Sequence, residues 1–361
     1  MDKSPRIGLA LSGGGFRAAA FGLGCLRALH DRDLLRHVRV ISSISGGSII
    51  AAMWAYGPTD FQDFDALATD LLRSGIQGRY ISRVLHPGLM LRHARSVISP
   101  VGSPARERNH LDAMIGIFQA EGFGDRALQS VTQENLATII SASDTISAQA
   151  VRFGSELSSC EPYGKILNSV SVAEAVAASA AYPLLLPTMN RTYRFHRETG
   201  DGRTSMHSRF LAITDGGVYD NLGLSPLLPD STDRYRYHRH DLDYLITADS
   251  STGQQDKKPA RIIVGRVRQA LSITHTKNQD AIRQRVHRAA QFQEIKGVAH
   301  AYLGLADDRL PFPIPGLVPR EKVARYGTNL SAMPQRDFLD ITQRAEQLTR
   351  AQLAHSCPDL L

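Results

Sequence analysis

Cysteine is scarce. Only Cys25, Cys160 and Cys357 occur in 361 residues, far apart in the chain. They make neither a disulfide framework nor a cysteine-based metal site, a pattern that suits a reducing compartment. Long apolar runs are missing as well. No stretch reaches the roughly 18 consecutive apolar residues that a membrane-spanning helix needs. The apolar start, RIGLALSGGG, is short and glycine-broken, unlike a secretory leader. No internal repeat or low-complexity tract is present. Acid is in deficit: 42 Lys+Arg stand against 35 Asp+Glu, a net charge of +7. That excess suits either an anionic partner, such as a phospholipid surface or nucleic acid, or simply solubility. Hydrophobic residues at 42% and charged residues at 21% exclude a disordered chain.

The chain reads as alternating strands and helices. RIGLALS (6–12) is a short buried strand ending in Gly13-Gly14-Gly15, and FRAAAFGLGCLRALH (16–30) has helical spacing. VRVISSI (38–44) is a second strand, and SGGSIIAAMWAY opens a second helix. This order predicts a three-layer α/β/α fold around a mostly parallel sheet. Further strands are expected at 136–144, 149–156, 210–217, 243–251 and 300–306, and helices at 171–182, 260–292 and 336–355. Residues 58–125, broken by Pro87, Pro100 and Pro104, read as a helical insertion or cap, and about 320–361 as a helical C-terminal extension of one domain spanning 1–361. Within the insertion, Arg79, Arg83, Arg92, Arg95, Arg106 and Arg108 are accompanied by a single acid, Glu107. A basic amphipathic segment of this kind either lies on an anionic bilayer or packs on the core with its arginines in water.

Three glycine-rich turns carry the chemistry. In Ser12-Gly13-Gly14-Gly15-Phe16-Arg17, glycines between a strand and a helix let backbone N–H groups converge at a positive helix end. Such a nest holds a phosphate or a developing oxyanion. Gly13-x-Gly15-x-x-Ala18 also fits a loose dinucleotide fingerprint, but no acid ends the second strand, and no Gly-Lys-Ser/Thr follows. In Ser43-Ile44-Ser45-Gly46-Gly47, a serine occupies a sharp strand-to-helix turn, as a nucleophile does in Gly-x-Ser-x-Gly, with Ser43 in place of the first glycine. Ser45 is therefore either a nucleophile or an N-cap. Asp215-Gly216-Gly217 follows a predicted strand and can supply the base that a serine hydroxyl needs, or be a simple turn. His238 and His240, in a charged stretch, read as a solvated loop or as a contact for lipid headgroups.

SGGGFRAAAFGLGCLRAL, SSISGGS and DGGVYDNLG together resemble the three blocks of the patatin-like phospholipase family. LATIISASDTISAQAVRF and AVAASAAYPLLLP resemble further blocks of it, and the likeness leaves out about 58–125 and 190–208. The resemblance implies a Ser–Asp dyad, with Ser45 as nucleophile and Asp215 as base. It also implies an oxyanion hole from the amides of Gly13, Gly14 and Gly15, with Gly46 as a further donor. Arg17 stands where the family often has a basic residue. The expected activity is that of a lipid acyl hydrolase of the phospholipase A or lysophospholipase type, an ester hydrolase that uses no metal or cofactor. Its partners would be a phospholipid or other acyl ester, a membrane surface met peripherally and, as an option, a second copy of the chain; nucleic acid is not expected. The location would be cytoplasmic. The alternatives are an esterase or thioesterase for soluble substrates, and a nucleotide-binding regulator using the Gly13–Gly15 loop.

Overall fold

A computed structural model of the chain describes residues 4–84, 112–183, 188–198, 203–228, 237–253, 259–260 and 262–361. Ten strands form one sheet: β1 Ile7–Leu11, β2 Val38–Ile44, β3 Ala137–Asp144, β4 Gln149–Gly154, β5 Ser158–Cys160, β6 Gly164–Ile166, β7 Met189–Glu198, β8 Thr204–Asp215, β9 Tyr244–Asp249 and β10 Gly297–Tyr302. Their order is β10-β9-β1-β2-β3-β4-β5-β6-β7-β8, and β8 returns to pair with β3.

The first half of this sheet is parallel, through β10–β9, β9–β1, β1–β2 and β2–β3. Every residue of IGLAL and YLITAD is buried, as parallel strands covered on both faces require. One face packs on the helices Gly15–His30, Gly46–Tyr56 and Gln335–Ser356. The other presents Ala10, Val40, Leu245 and Val298 to Ile282, Val286 and Ala289 of the long helix Ile263–Gln291. The three-layer expectation holds for this half.

The expectation of a mostly parallel sheet does not hold. Strands β3 to β8 are joined by antiparallel pairings throughout, and the β3–β8 pairing closes them into a barrel. The strands β5 and β6 have three residues each, too few for a periodic signal. In β7, MNRTYRFHRE, the buried Met189, Tyr193 and Phe195 are interleaved with charge, which hides a half-exposed strand.

The sharing of β3 positions the functional residues. Along one edge of β3, Ile44 of β2 pairs with Ser141, and the next residue, Ala142, pairs with Asp215 of β8. Thus β2, rising, and β8, descending, end against each other. The residues at this junction are Ser45 and Asp215.

Within 58–125, the helices Phe61–Ser74 and Gln77–Val84 and a short helix at 112–118 are present, with no strand among the described residues. Helix Phe61–Ser74 starts where the Asp60 carboxylate accepts the amides of Gln62 and Asp63, at 2.9 and 3.0 Å. It buries Phe64, Ala68, Leu71 and Leu72 beside helix Gly15–His30. Arg79 pairs with Glu121. Arg92, Arg95, Arg106 and Arg108 lie outside the described residues. Arg344 of the closing helix is fully buried and donates to the carbonyls of Leu303, Leu305 and Val318 and to Asp307, tying the 303–318 segment to the core. No helix among the described residues is long and apolar enough to cross a membrane.

Candidate active site

Ser45 sits between β2 and helix Gly46–Tyr56 with φ 50° and ψ −120°. A non-glycine residue with positive φ is held there by its surroundings, a strain that marks functional turns. The crowding is measurable at its neighbours. A Cβ on Gly46 would lie 1.9 Å from the Gly15 carbonyl oxygen, and one on Gly47 would lie 2.5 Å from the carbonyls of Leu11 and Ser12. Only glycines fit against the first loop, so Ser-Gly-Gly is required by contact as well as by the turn.

The Ser45 amide donates to Ser179 Oγ at 2.9 Å. Ser179 Oγ in turn donates to the Ser141 carbonyl at 2.7 Å and lies 2.9 Å from Ser48 Oγ. Ser179 ends the helix Val172–Ser179 and is fully buried. It is a supporting residue that sequence reasoning passed over, although AVAASAAYPLLLP contained it. Ser179→Ala leaves the Ser45 amide without its acceptor. We expect it to lower stability by about 1–2 kcal/mol, read by urea unfolding, and to disturb the setting of the Ser45 turn.

Asp215 ends β8 and is 4% exposed. It arrives on an antiparallel strand, not on the parallel strand that a third turn of one parallel sheet implied. Its Oδ1 accepts the Gly217 amide at 2.7 Å, and its own amide donates to the Ala181 carbonyl at 3.0 Å. Burial pushes its carboxyl up from 3.8 to about 6, against the Gly217 amide and a hydrogen bond from the Ser45 side chain, which pull it down. The Ser45 side chain thus lies close enough to the carboxylate to influence it.

The glycine loop lies alongside. A Cβ on Gly13 would come within 3.3 Å of Ser45 Cβ. The Gly13 amide, however, donates to the Asn221 carbonyl at 2.9 Å, which removes it from the donors expected of this loop. Gly14, at φ 144°, and Gly15, at φ 60°, open helix Gly15–His30, where amides have no intrahelical acceptor. Gly46 opens its own helix in the same way. Arg17 Nε donates to the Ser250 carbonyl at 3.0 Å and Nη1 to the Tyr326 carbonyl at 2.8 Å, and burial lowers its guanidinium to about 10. It remains charged and fastens the loop to the segment after β9. Exposed Tyr182, Val218 and Tyr219 flank the turn after Asp215.

Two expected features lie elsewhere. His238 is buried and hydrogen-bonds Ser159 at 3.1 Å, so it is neither a solvated loop residue nor a surface contact. A cavity of about 690 Å³ lined by Arg39, Gln133, Asn135, Glu156 and His240 opens at the starts of β2 and β3, the edge opposite Ser45.

A family model described as patatin-like phospholipase matches residues 9–228, which include Ser45, Asp215 and all three glycine turns. Human GIVD cytosolic phospholipase A2, solved in complex with methyl gamma-linolenyl fluorophosphonate inhibitor and terbium chloride, is similar in fold at 13% identity. Its TM-score is 0.53, and the match covers 98% of this chain and 59% of that one. VipD from Legionella pneumophila matches at 16% identity and a TM-score of 0.41, over 98% of this chain and 67% of that one. No curated protein matches the sequence.

Proposed function

The chain belongs to the patatin-like phospholipase family, and on that premise we propose that it is a lipid acyl hydrolase of the phospholipase A or lysophospholipase type. In this reading Ser45 is the nucleophile and Asp215 the base. The observation that carries it is the placement of Ser45, at the end of β2, against the buried Asp215 carboxylate held by Gly217, beside two helix N-termini.

Asp215 takes the Ser45 proton as Oγ attacks the ester carbonyl. The amides of Gly14, Gly15 and Gly46 face the developing oxyanion, and the charged Arg17 behind the loop adds to the positive field. The ester alkoxide leaves with the proton from Asp215, and an acyl group stays on Ser45. Water, deprotonated by the same carboxylate, then releases the fatty acid. Exposed Tyr182, Val218 and Tyr219 beside Asp215 support an apolar substrate, and the net charge of +7 supports an anionic lipid surface met peripherally.

The test is fatty-acid release from phospholipid in mixed micelles and vesicles, wild type beside Ser45→Ala. Release that rises as the lipid aggregates and vanishes in Ser45→Ala is the expected result. Turnover of soluble short-chain esters or thioesters with none of aggregated lipid would replace the lipid reading with that of a soluble-substrate esterase.

A further inference from the structure

Gly217 connects the proposed base to a distant helix. Its N–H orients Asp215 Oδ1 at 2.7 Å. Having no side chain, it can be fixed only through its peptide groups. The imidazole of His275, on the long helix Ile263–Gln291, lies near its carbonyl. One turn further along, Asn278 Nδ2 donates to the Tyr219 carbonyl at 2.5 Å. The turn after Asp215 thus faces the helix at two carbonyls, one of them hydrogen-bonded by Asn278.

The imidazole is itself oriented. Gln279 Nε2 lies 3.0 Å from His275 Nε2 and can only donate to it, which leaves Nδ1–H for the Gly217 carbonyl. Burial lowers the His275 pKa and so favours the neutral ring this pattern requires; Arg283, Asp220 and Asp249 are the charged groups around it. The spacing of His275, Asn278, Ile282, Val286 and Ala289 places them on one face of the helix. Its lower part is buried against the sheet through Ile282, Val286 and Ala289.

The same helix also reaches the oxyanion loop. Arg283 Nε and Nη2 donate to Asp249 Oδ2 at 2.9 and 2.7 Å, and Asp249, the end of β9, is fully buried. The next residue, Ser250, donates its hydroxyl to the Gly13 carbonyl at 2.9 Å. One helix therefore meets both the turn after Asp215 and, through Asp249, the strand that holds the glycine loop.

We propose that His275 and Asn278 are positioning residues: they clamp the Gly217–Tyr219 turn and so aim the Asp215 carboxylate at Ser45. This rests on Asp215 being the base. A loosened turn weakens the Gly217 N–H bond to the carboxylate, and that bond favours its charged form.

The experiment measures kcat, KM, the acid side of the pH–rate profile and Tm for His275→Phe, His275→Asn and Asn278→Ala, with Asp215→Asn beside them. His275→Phe keeps a ring and removes the donor. We expect it to lower kcat about tenfold or more with KM within about twofold, and to move the acid limb to higher pH. His275→Asn, whose Nδ2 replaces Nδ1, recovers most of that loss. Asn278→Ala lowers kcat by a smaller factor, about threefold, without a shift in Tm. A loss in Asp215→Asn with none in His275→Phe overturns this proposal alone. No loss in Asp215→Asn overturns the base assignment and this proposal with it. A loss in His275→Phe that His275→Asn does not recover, with a large fall in Tm, reduces His275 to a structural role and overturns the proposal as well.

Discussion

Asp215→Asn lowers ester hydrolysis by about 10²–10⁴-fold, the usual contribution of a general base, and at the same time makes the protein more stable at pH 7. The two effects have one cause. Burial raises the Asp215 carboxyl from 3.8 to about 6, so the folded chain holds this proton over a range where the unfolded chain has released it. Stability contributed by the group is then fully present below about pH 4 and is lost as pH rises toward about 6. At pH 7 the buried carboxylate opposes folding by about 3 kcal/mol. Asparagine fills the same space, keeps an acceptor for the Gly217 amide and carries no charge. Its Tm at pH 7 should therefore exceed that of the wild type by a few °C, roughly as expected for that energy in a chain of this size. The wild-type rate should fall about tenfold per pH unit below about 6, because only the carboxylate accepts the Ser45 proton. Thermal melts and a pH–rate profile on a soluble ester check all three. An Asp215→Asn variant that is both less stable and fully active would contradict them together.

Gly46→Ala carries the second large effect. A methyl group there would sit 1.9 Å from the Gly15 carbonyl oxygen and 2.6 Å from its carbon. Both are backbone atoms, so no side chain can swing away. Either the Ser45 turn or the glycine loop must move, and the proposed nucleophile then loses its register with the proposed donors of Gly14 and Gly15. We expect a loss of about 10²–10³-fold in kcat, the cost of removing an oxyanion donor, with a destabilisation of at least about 1–3 kcal/mol from overpacking. Gly78→Ala is the control. A Cβ on Gly78 meets nothing within 4 Å, and the residue lies inside helix Gln77–Val84. That substitution should leave kcat unchanged and stabilise by up to about 1 kcal/mol, through helix propensity.

Much of the site was legible because its parts are local. Ser45 and the glycine loop each lie between a β-branched or apolar strand and a helix, and strand–turn–helix units announce themselves over about ten residues. Asp215 was legible as a motif, but its route was not. Whether its strand runs parallel or antiparallel to β3 depends on pairings with residues about 70 positions away, and the three-residue strands that carry the chain back leave no pattern. The occupied amide of Gly13 depends on Asn221, more than 200 residues distant. Ser179 and His275 meet partners far away in the chain, and a serine among alanines or a histidine in a polar helix has no periodicity that reveals them. His238 misled for the same reason: its arginine- and tyrosine-rich neighbours suggest solvent, while the residue itself packs against β5. Elements set by local composition could be read, and contacts set by chain closure could not.

The most direct measurement of the central claim is intact-protein mass spectrometry after a short exposure to a fluorophosphonate, followed by peptide mapping. A single phosphonyl adduct on Ser45 is expected in the wild type, slower by orders of magnitude in Asp215→Asn and absent from Ser45→Ala. A full adduct that persists in Ser45→Ala would place the nucleophile elsewhere and contradict the account.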